Sequence, residues 1–318
     1  MSQAKGYMGR TTIFFEPTYK GTPSPKNGII IPFNKNTIQL KQGIIKTNTI
    51  LNRRDQARPG LGRKTVDGML EIPSCYRTIG YFLKAMFGAP TTTGGTEKYT
   101  HVFKITNTEQ PSLKIEKGFT DIGKYYLADG IKIAKFNTAY GIGDNEHVHT
   151  FDIIGSTEVE SDSTYDASAT ALVLSRMNDY ESSIKEGGVT VANISNIEFA
   201  VELGLDAEQF GIGGGNARTS LPESLIGLTG KIEAFFTDTT ILAKAMAGTK
   251  SSIEVKSENT AGHSLTYKFP EIMYSVTTPP IEGPTGVKLT ADISAFYEND
   301  AGNSSLIATL VNDISSYA

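Results

Sequence analysis

The chain contains one stretch twice. The sequence VDGMLEIPSCYRTIGYFLKAMFG at residues 66–88 returns as LTGKIEAFFTDTTILAKAMAG at residues 228–248. Each copy begins with an apolar run that predicts a strand and ends with about ten residues, closed by a glycine, that predict a helix. The copies are offset by 230 − 68 = 162 residues at Gly68 and Gly230, and by 248 − 88 = 160 at their ends. The repeat therefore predicts two copies of one folding unit.

Length and composition agree with the repeat. A chain of 318 residues is long enough for about two domains. Its 32 glycines and 13 prolines favour the many turns of a β-rich protein. We therefore expect a first domain over residues 1–158 and a second over residues 159–318, with the acidic, serine-rich segment 156–190 as the connector.

Alternating side chains predict which strand residues point inward. Glu198 and Glu202 alternate with an apolar set, as in a strand with one buried face: Ile197, Phe199, Val201 and Leu203. This strand matches the one around Ile38 at an offset of 197 − 38 = 159. In the first copy Asp152 lies on the opposite face from an inward-facing set: His149, Phe151 and Ile153.

The second copy is shorter than the first. Asp292 matches Asp152 at an offset of 292 − 152 = 140, which is 160 − 140 = 20 residues less than at the helix. The segment PSLKIEKGF at 111–119 has no clear counterpart in the second copy. Both helices are expected to carry an N-terminal cap, Thr78 in the first and Asp238 in the second.

Charge and cysteine content exclude several functions. A net charge of −4 gives no electrostatic basis for tight binding of nucleic acid. One cysteine, Cys75, cannot form an intrachain disulfide, and four scattered histidines supply no zinc framework, so the histidines are expected to be ordinary surface or half-buried side chains. No apolar run reaches the ~20 residues of a membrane span, and the N-terminus lacks the apolar core of a secretory signal.

No motif predicts an enzyme. FGIGGGN at 210–216 resembles a phosphate-binding loop, but the residues after it include Pro222 and lead into a strand rather than a helix. No GxSxG motif occurs, and no histidine is paired with Cys75 by the sequence. We expect no catalytic residues, no cofactor and no metal.

One loop is basic. The segment 52–64 is rich in glycine, proline and charge, which predicts an exposed loop. In a protein of negative net charge this loop is suited either to solvent or to contact with an acidic protein surface. Its cations are Arg53, Arg54, Arg58, Arg63 and Lys64.

Several motifs in order resemble one family. LKAMFGAPTTTGG is followed by YTHVFK, PSLKIEKGF, HTFDIIGSTE and, late in the chain, PPIEGPTGVKLTADISAFYE. Over most of residues 60–155 and 195–310 the chain is similar to the tail tube proteins of tailed bacteriophages. The resemblance implies two tandem β-sandwich or β-barrel domains, each with one short flanking α-helix.

The resemblance also implies an assembly. Rings of such subunits stack between capsid and baseplate, around a tape-measure protein before infection and around passing DNA during it, and end at tail-terminator and baseplate proteins. The protein is then a virion component that assembles in the host cytoplasm. Two tube domains in one chain predict a ring of three chains, with six chains as the alternative.

Roles for particular residues follow from the resemblance. DNA that moves quickly through a channel should meet like charge, so four outward-facing acids are expected to line it: Glu71, Asp152, Glu233 and Asp292. Loops 52–64 and 206–224 are expected to reach neighbouring subunits or rings, through the five cations above and Phe210, Asn216 and Arg218. Acidic residues near 160 are possible partners for the arginines: Glu158, Glu160 and Asp162.

Two alternatives remain open. The chain could form the inner tube of a contractile tail or of a related injection device. It could instead be a duplicated β-sandwich that binds carbohydrate, although such sites usually present aromatic platforms and the chain has no tryptophan.

Overall fold

The chain folds mainly into antiparallel β-structure. The computed structural model describes residues 3–281, 283–298, 302 and 304–317. The expected mainly β fold with two short helices is confirmed, since strands account for 48% of residues and helices for 7%. The first half contains β1 (Gly9–Phe15), β2 (Ile29–Ile31), β3 (Lys35–Asn36), β4 (Gln39–Ile45), β5 (Gly60–Pro73), α1 (Ile79–Phe87), β6 (Thr91–Gly94), β7 (Tyr99–Lys104), β8 (Leu113–Phe119), β9 (Lys124–Gly141) and β10 (Val148–Gly155).

The connector is more regular than expected. The acidic, serine-rich segment expected to serve as the connector contains four short strands: β11 (Thr157–Ser161), β12 (Thr170–Ala171), β13 (Ser182–Glu186) and β14 (Val189–Val191). The second half follows with β15 (Ile194–Glu202), β16 (Gly227–Phe235), α2 (Thr240–Met246), β17 (Ser251–Glu258), β18 (Ser264–Val276), β19 (Lys288–Ala295) and β20 (Ile307–Asn312).

One sheet runs through both halves. Its strands follow the order β4–β5–β10–β9–β15–β16–β19–β18, and every neighbouring pair is antiparallel. The sheet is open and does not close into a barrel. The halves are joined within it because β15 pairs with β9 over seven residues, from Asn196 opposite Gly141 to Glu202 opposite Lys135.

A second group of strands lies beside this sheet. The N-terminal part of β9 leaves the main sheet and pairs with β8 on one side and β11 on the other. Irregular pairing of β10 with β9 between Asp152 and Ile153 marks a bulge at this point, and bulges bend strands. Strand β1 then pairs with β8 and β2, and the apolar side chains between the layers form one continuous core through both halves.

The strand β8 does have a counterpart. It contains LKIEKGF of segment 111–119, for which the sequence alone shows no clear counterpart. It forms a hairpin with β9, and β17 forms the equivalent hairpin with β18 in the second half. The residues that the second copy lacks correspond instead to the hairpin of β6 and β7. This hairpin pairs through β7 with β20, so it ties the first half to the end of the second.

Neither helix has the side-chain cap that was expected. Thr78 has helical backbone angles and its side chain makes no capping hydrogen bond, because α1 continues directly from the turn at Cys75. At the other helix the N-cap is Thr239, one residue later than expected, and its side chain makes no capping hydrogen bond either. The Asp238 carboxylate accepts the backbone N–H of Thr240 at 2.8 Å from the position before the cap.

Candidate channel-lining face and assembly loops

The four predicted channel residues project from one face of the continuous sheet. Glu71 stands opposite Thr150, and Asp152, two residues on, is opposite Lys135. Residues directly opposite each other in a sheet share a face, as do residues two apart on a strand. Across the junction Lys135 is opposite Glu202, which lies on the same face of β15 as Glu198. Lys231 is opposite both Glu198 and Asp292, and Glu233 is two residues along the strand from Lys231. We call this the open face.

The open face is opposite the core. Along β10 the buried residues alternate strictly with partly exposed ones, and β19 shows the same alternation. Phe151 and Ile153 belong to the core, as expected, and the inward set of β15 is buried as well. Each of the four acids therefore projects from the face opposite the core.

A shallow groove of about 640 Å³ runs across the open face at the junction of the two halves. Most of its lining residues are small, so the wall is smooth where β10, β9, β15 and β16 lie side by side. They include Ala139, Thr150, Ala200, Thr229, Gly230 and Ser294.

Lysines are interleaved with the acids, which the sequence reasoning missed. Lys135 donates to the Glu202 carboxylate at 2.8 Å across the junction. The Glu233 carboxylate lies 3.9 Å from both Lys231 and Lys288. The alternation of strand residues that predicts the face of Asp152 also predicts the face of these lysines, so they could have been found from the sequence. On this face Asp67 is paired with Arg218, and Arg63 with Glu208. Of the other charged residues, carboxylates still outnumber lysines: Glu71, Asp152, Glu198, Glu202, Glu233 and Asp292 against Lys35, Lys41, Lys135, Lys231 and Lys288.

The two predicted loops contact each other within one chain. Arg63 forms an ion pair with Glu208 at 2.9 Å and lies 4.5 Å from the ring of Phe210. The backbone N–H of Lys64 donates to the carbonyl of Asn216 at 2.7 Å. Loop 206–224 of the second half is thus docked on β5 of the first half.

Arg218 anchors this docked loop from the inside. It is 5% exposed, and its guanidinium donates to Asp67 at 2.8 Å and to the carbonyl of Gly155 at 2.9 Å. A buried arginine with these partners fixes the loop to its own chain, so we leave Arg218 out of the contact set between subunits.

The remaining arginines lie at an exposed tip. Arg53, Arg54 and Arg58 lie between β4 and β5 in a segment that is almost wholly exposed, and the ion pair of Arg53 is with Asp55 beside it, at 2.7 Å. The suggested acidic partners are engaged elsewhere in the chain. Glu158 lies 3.9 Å from Lys117, and Lys124 binds both Glu160 and Asp162.

The histidines are buried rather than at the surface, which corrects the expectation. His147 and His149 belong to a polar network in which Asp179 binds His147, Thr138 bridges the two rings at 3.1 Å to each, and Ser74 lies 2.6 Å from His149. No group of three or more metal-ligating side chains occurs within the described residues. The network holds the connector against β9 and β10, which is a structural role.

The glycine-rich loop also has an ordinary explanation. Gly213, Gly215 and Asn216 adopt positive φ, as a tight exposed turn requires. The chain then returns to β16, so no helix begins there to bind a phosphate.

These features define a class: a β-rich structural protein with a broad sheet face on which carboxylates outnumber lysines, and with an exposed loop that projects from the sheet. A family model of phage tail tube proteins matches residues 7–295. The chain belongs to this family, and it is a structural component of a phage tail. A search of curated proteins finds no match. Across the part of the chain that the structure describes, no helix is long and apolar enough to cross a membrane.

Proposed function

We propose that the chain assembles into rings of three, that the rings stack into a tail tube, and that DNA passes along the open face. The observation that carries the proposal is the pairing of β15 with β9. This pairing joins the two halves edge to edge in one sheet. A ring would need the same kind of joint between all neighbouring units of its wall.

The two halves are proposed to be equivalent wall segments. Strands β4, β5, β10 and β9 follow one another in the first half as β15, β16, β19 and β18 do in the second. The boundary fits best at residues 172–181 rather than at 158, because β11 and β12 pair with strands of the first half and β13 pairs with β17.

Equivalence gives a register for the joint between chains. Leu40 opposite Val66 corresponds to Val201 opposite Leu228, so Lys41 corresponds to Glu202. The partner of Asp152 is Lys135 and the partner of Asp292 is Ser275, so Lys135 corresponds to Ser275. Since Lys135 faces Glu202 within the chain, Ser275 of one chain should face Lys41 of the next.

Both edges needed for this joint are open in the single chain. Among the described strands β4 pairs with β5 alone, and the pairing of β17 with β18 stops at Ile272, before Ser275. Pro279 and Pro280 follow and would end the new pairing, because proline has no N–H to donate. Unpaired strand edges are an aggregation hazard that ring closure removes.

Three chains supply six wall segments. A head-to-tail contact closes into a ring when the rotation between neighbouring chains divides a full turn evenly. Half of the six joints then lie within chains and half between chains. We expect the same rings to enclose a tape-measure protein, to meet terminator and baseplate proteins at their ends, and to assemble in the host cytoplasm.

The open face is proposed as the channel wall. Its small side chains offer few contacts to DNA, and its excess of carboxylates repels the phosphate groups of DNA. Glu71, Asp152, Glu233 and Asp292 contribute to this repulsion, while the interleaved lysines hold neighbouring acids in place.

Replacing both Glu71 and Asp152 by lysine should leave tubes intact but slow DNA release, most strongly at low salt. Unchanged release at low salt would contradict a channel role for this face.

Electron microscopy of the purified protein tests the proposal. Stacked rings with three chains per ring are expected. Six chains per ring would overturn the stoichiometry and leave the tube, whereas a protein that stays monomeric at high concentration, and is absent from tails, would overturn the tube itself.

A further inference from the structure

We infer that residues 43–62, here called the arm, dock on the second half of the neighbouring chain in the same ring. The arm consists of the outer ends of β4 and β5 and the loop between them. This inference rests on the proposed ring and adds a second contact to the sheet joint.

The arm exposes a set of large apolar side chains. Ile50 is 94% exposed, and the other members of the set are exposed as well: Ile44, Ile45, Leu51 and Leu61. Single exposed apolar residues are common, but several on one short projection mark an interaction surface. Within the described residues the strand pairing of the arm is confined to its own hairpin, and these five apolar side chains are exposed to solvent in the single chain.

The joint inside the chain shows where such a projection goes. Loop 206–224 occupies the same place in the second half as the arm in the first, since it connects β15 to β16 as the arm connects β4 to β5. It does not project. It crosses three strands of the adjoining half. Just before the loop the Leu203 N–H donates to the Ala134 carbonyl on β9 at 2.8 Å, and within it the Leu221 carbonyl accepts from Lys132 of β9 at 3.1 Å.

The crossing continues over the other two strands. Ser156, which directly follows β10, donates to the Arg218 carbonyl at 2.5 Å, and Lys64 on β5 donates to Asn216 at 2.7 Å. The loop thereby covers the strand ends that would otherwise be open at the joint.

The corresponding strand ends of the second half are uncovered and apolar. By the equivalence of the halves, the arm of the next chain would cross β18 near Met273, the end of β19 near Tyr297 and the start of β16 near Leu225. Leu225 is 90% exposed and Tyr297 is 51% exposed. Beside them lies a groove of about 640 Å³ between the two halves, where Leu225, Ile226 and Tyr297 face Met86, Phe87 and the segment 105–110 of the first half.

Charge also favours this occupant. Arg54 and Arg58 are exposed on the arm, and neither has an ion-pair partner within 4 Å among the described residues. Among the groove's charged residues, Glu223 is paired with Lys132 at 2.7 Å and Glu109 adds a negative charge. Glu298, next to Tyr297, is 65% exposed and shares Lys250 at 3.3 Å. A basic, apolar arm and an acidic, apolar groove are complementary.

Cysteine cross-linking tests whether the arm docks within the ring. In a double variant, Ile50→Cys with Leu225→Cys, assembled tubes are treated with a short thiol cross-linker and run on a denaturing gel. Both positions are exposed, so folding should be unaffected, and the native Cys75 is buried. Each single variant is the control.

Covalent species should stop at the number of chains per ring that electron microscopy finds in the same sample, because a contact within the ring closes on itself. A ladder that continues past that number would place the arm on an adjacent ring and overturn the inference while leaving the tube intact. Tubes without cross-links would also overturn it. A sample without tubes contradicts the proposed ring instead.

A second variant tests the apolar contact without cysteines. Ile50→Ser with Leu51→Ser should raise the protein concentration needed for tube assembly by at least about tenfold, because two buried apolar side chains are lost from each joint. Ile142→Ser is the matched control, since Ile142 is 87% exposed and lies outside the arm. Equal effects of the two variants would overturn the inference.

Discussion

The glycine repeated in both copies is explained by close approach of the neighbouring strand. A Cβ at Gly68 would lie 2.5 Å from the Cα of Ile38 and 2.6 Å from the carbonyl oxygen of Thr37, which are backbone atoms that cannot rotate away. A Cβ at Gly230 would lie 2.8 Å from the carbonyl oxygen of Glu198. In both copies the repeated glycine therefore allows the neighbouring backbone to approach closely.

Gly68→Ala should destabilise the protein. The new methyl group forces the segment before β4 away from β5, and overpacking of this kind lowers the free energy of unfolding by about 1–3 kcal/mol. Denaturant unfolding measures the change. Gly143→Ala is the control, because nothing lies within 4 Å of a Cβ there; equal effects at the two positions would contradict the explanation.

Buried His149 should make stability depend on pH. Burial, followed by the nearby charge of His147, holds the pKa of His149 well below its usual 6.5. Below about pH 6.5 this histidine takes up a proton in the unfolded chain but not in the folded chain. The free energy of unfolding is therefore highest above that pH and falls as the pH is lowered, by at most about 1.4 kcal/mol per pH unit.

His149→Gln keeps polar atoms near Ser74 and Thr138 but cannot be protonated. The free energy of unfolding of this variant, measured from pH 7 to pH 5, should fall less steeply than that of the unmodified protein. His101 and His263 also have lowered pKa values because of burial, so a smaller slope should remain. Parallel profiles for the two proteins would contradict the assignment to His149.

At the scale of elements, the C-terminal segment ties the second half to the first helix. The Tyr317 ring lies directly over Gly80 of α1, where a side chain on residue 80 would collide with it. Its hydroxyl donates to the Arg77 carbonyl at 2.8 Å, and the Arg77 guanidinium binds Asp313 through two hydrogen bonds. Only a glycine in α1 allows this ring to pack.

Tyr317→Ala should therefore lower the free energy of unfolding by about 3–5 kcal/mol through loss of a buried aromatic ring. Tyr317→Phe keeps the ring and removes the hydrogen bonds, so it should cost less, about 1 kcal/mol. Both halves should unfold in one transition in the unmodified protein. A variant Tyr317→Ala as stable as the unmodified protein would contradict this docking.

Period-two alternation predicted the faces of elements well and their registers poorly. The inward set of β15 and the outward position of Asp152 were correct, because alternation fixes a face. The offset between Ile38 and its equivalent was wrong by two residues: the pairing makes Leu40 equivalent to Val201, an offset of 201 − 40 = 161 rather than 159. A shift of two keeps every side chain on its face, so the sequence pattern could not detect it.

The contacts made by loops were beyond prediction for a different reason. The basic loop and loop 206–224 were expected to reach other subunits, yet Arg63 and Arg218 bind within the chain. Such pairs join residues about 150 positions apart, as Arg218 − Asp67 gives 218 − 67 = 151. Local sequence carries no signal for them, and they became visible only once the pairing of β15 with β9 had brought the two halves together.

For the whole molecule, the sheet joint between chains gives the sharpest remaining test. In the register proposed above, Lys41 of one chain would lie opposite the short side chain of Ser275 of the next chain, and Asp292 is the residue opposite Ser275 on its other side. Lys41 can reach over Ser275 towards this carboxylate. Lys41→Glu would place two carboxylates there and should weaken each joint by about 0.2–1 kcal/mol, with less effect at high salt.

The expected result is a higher protein concentration for tube assembly, with monomer stability unchanged because β4 keeps its pairing with β5. Lys5→Glu makes the same change in net charge at an exposed position away from both edges and should assemble normally. Adding Asp292→Lys to Lys41→Glu restores opposite charges across the joint and should recover assembly. Recovery would fix which strand edges meet and in which register, whereas additive losses from the two substitutions would show that Lys41 and Asp292 do not meet between chains.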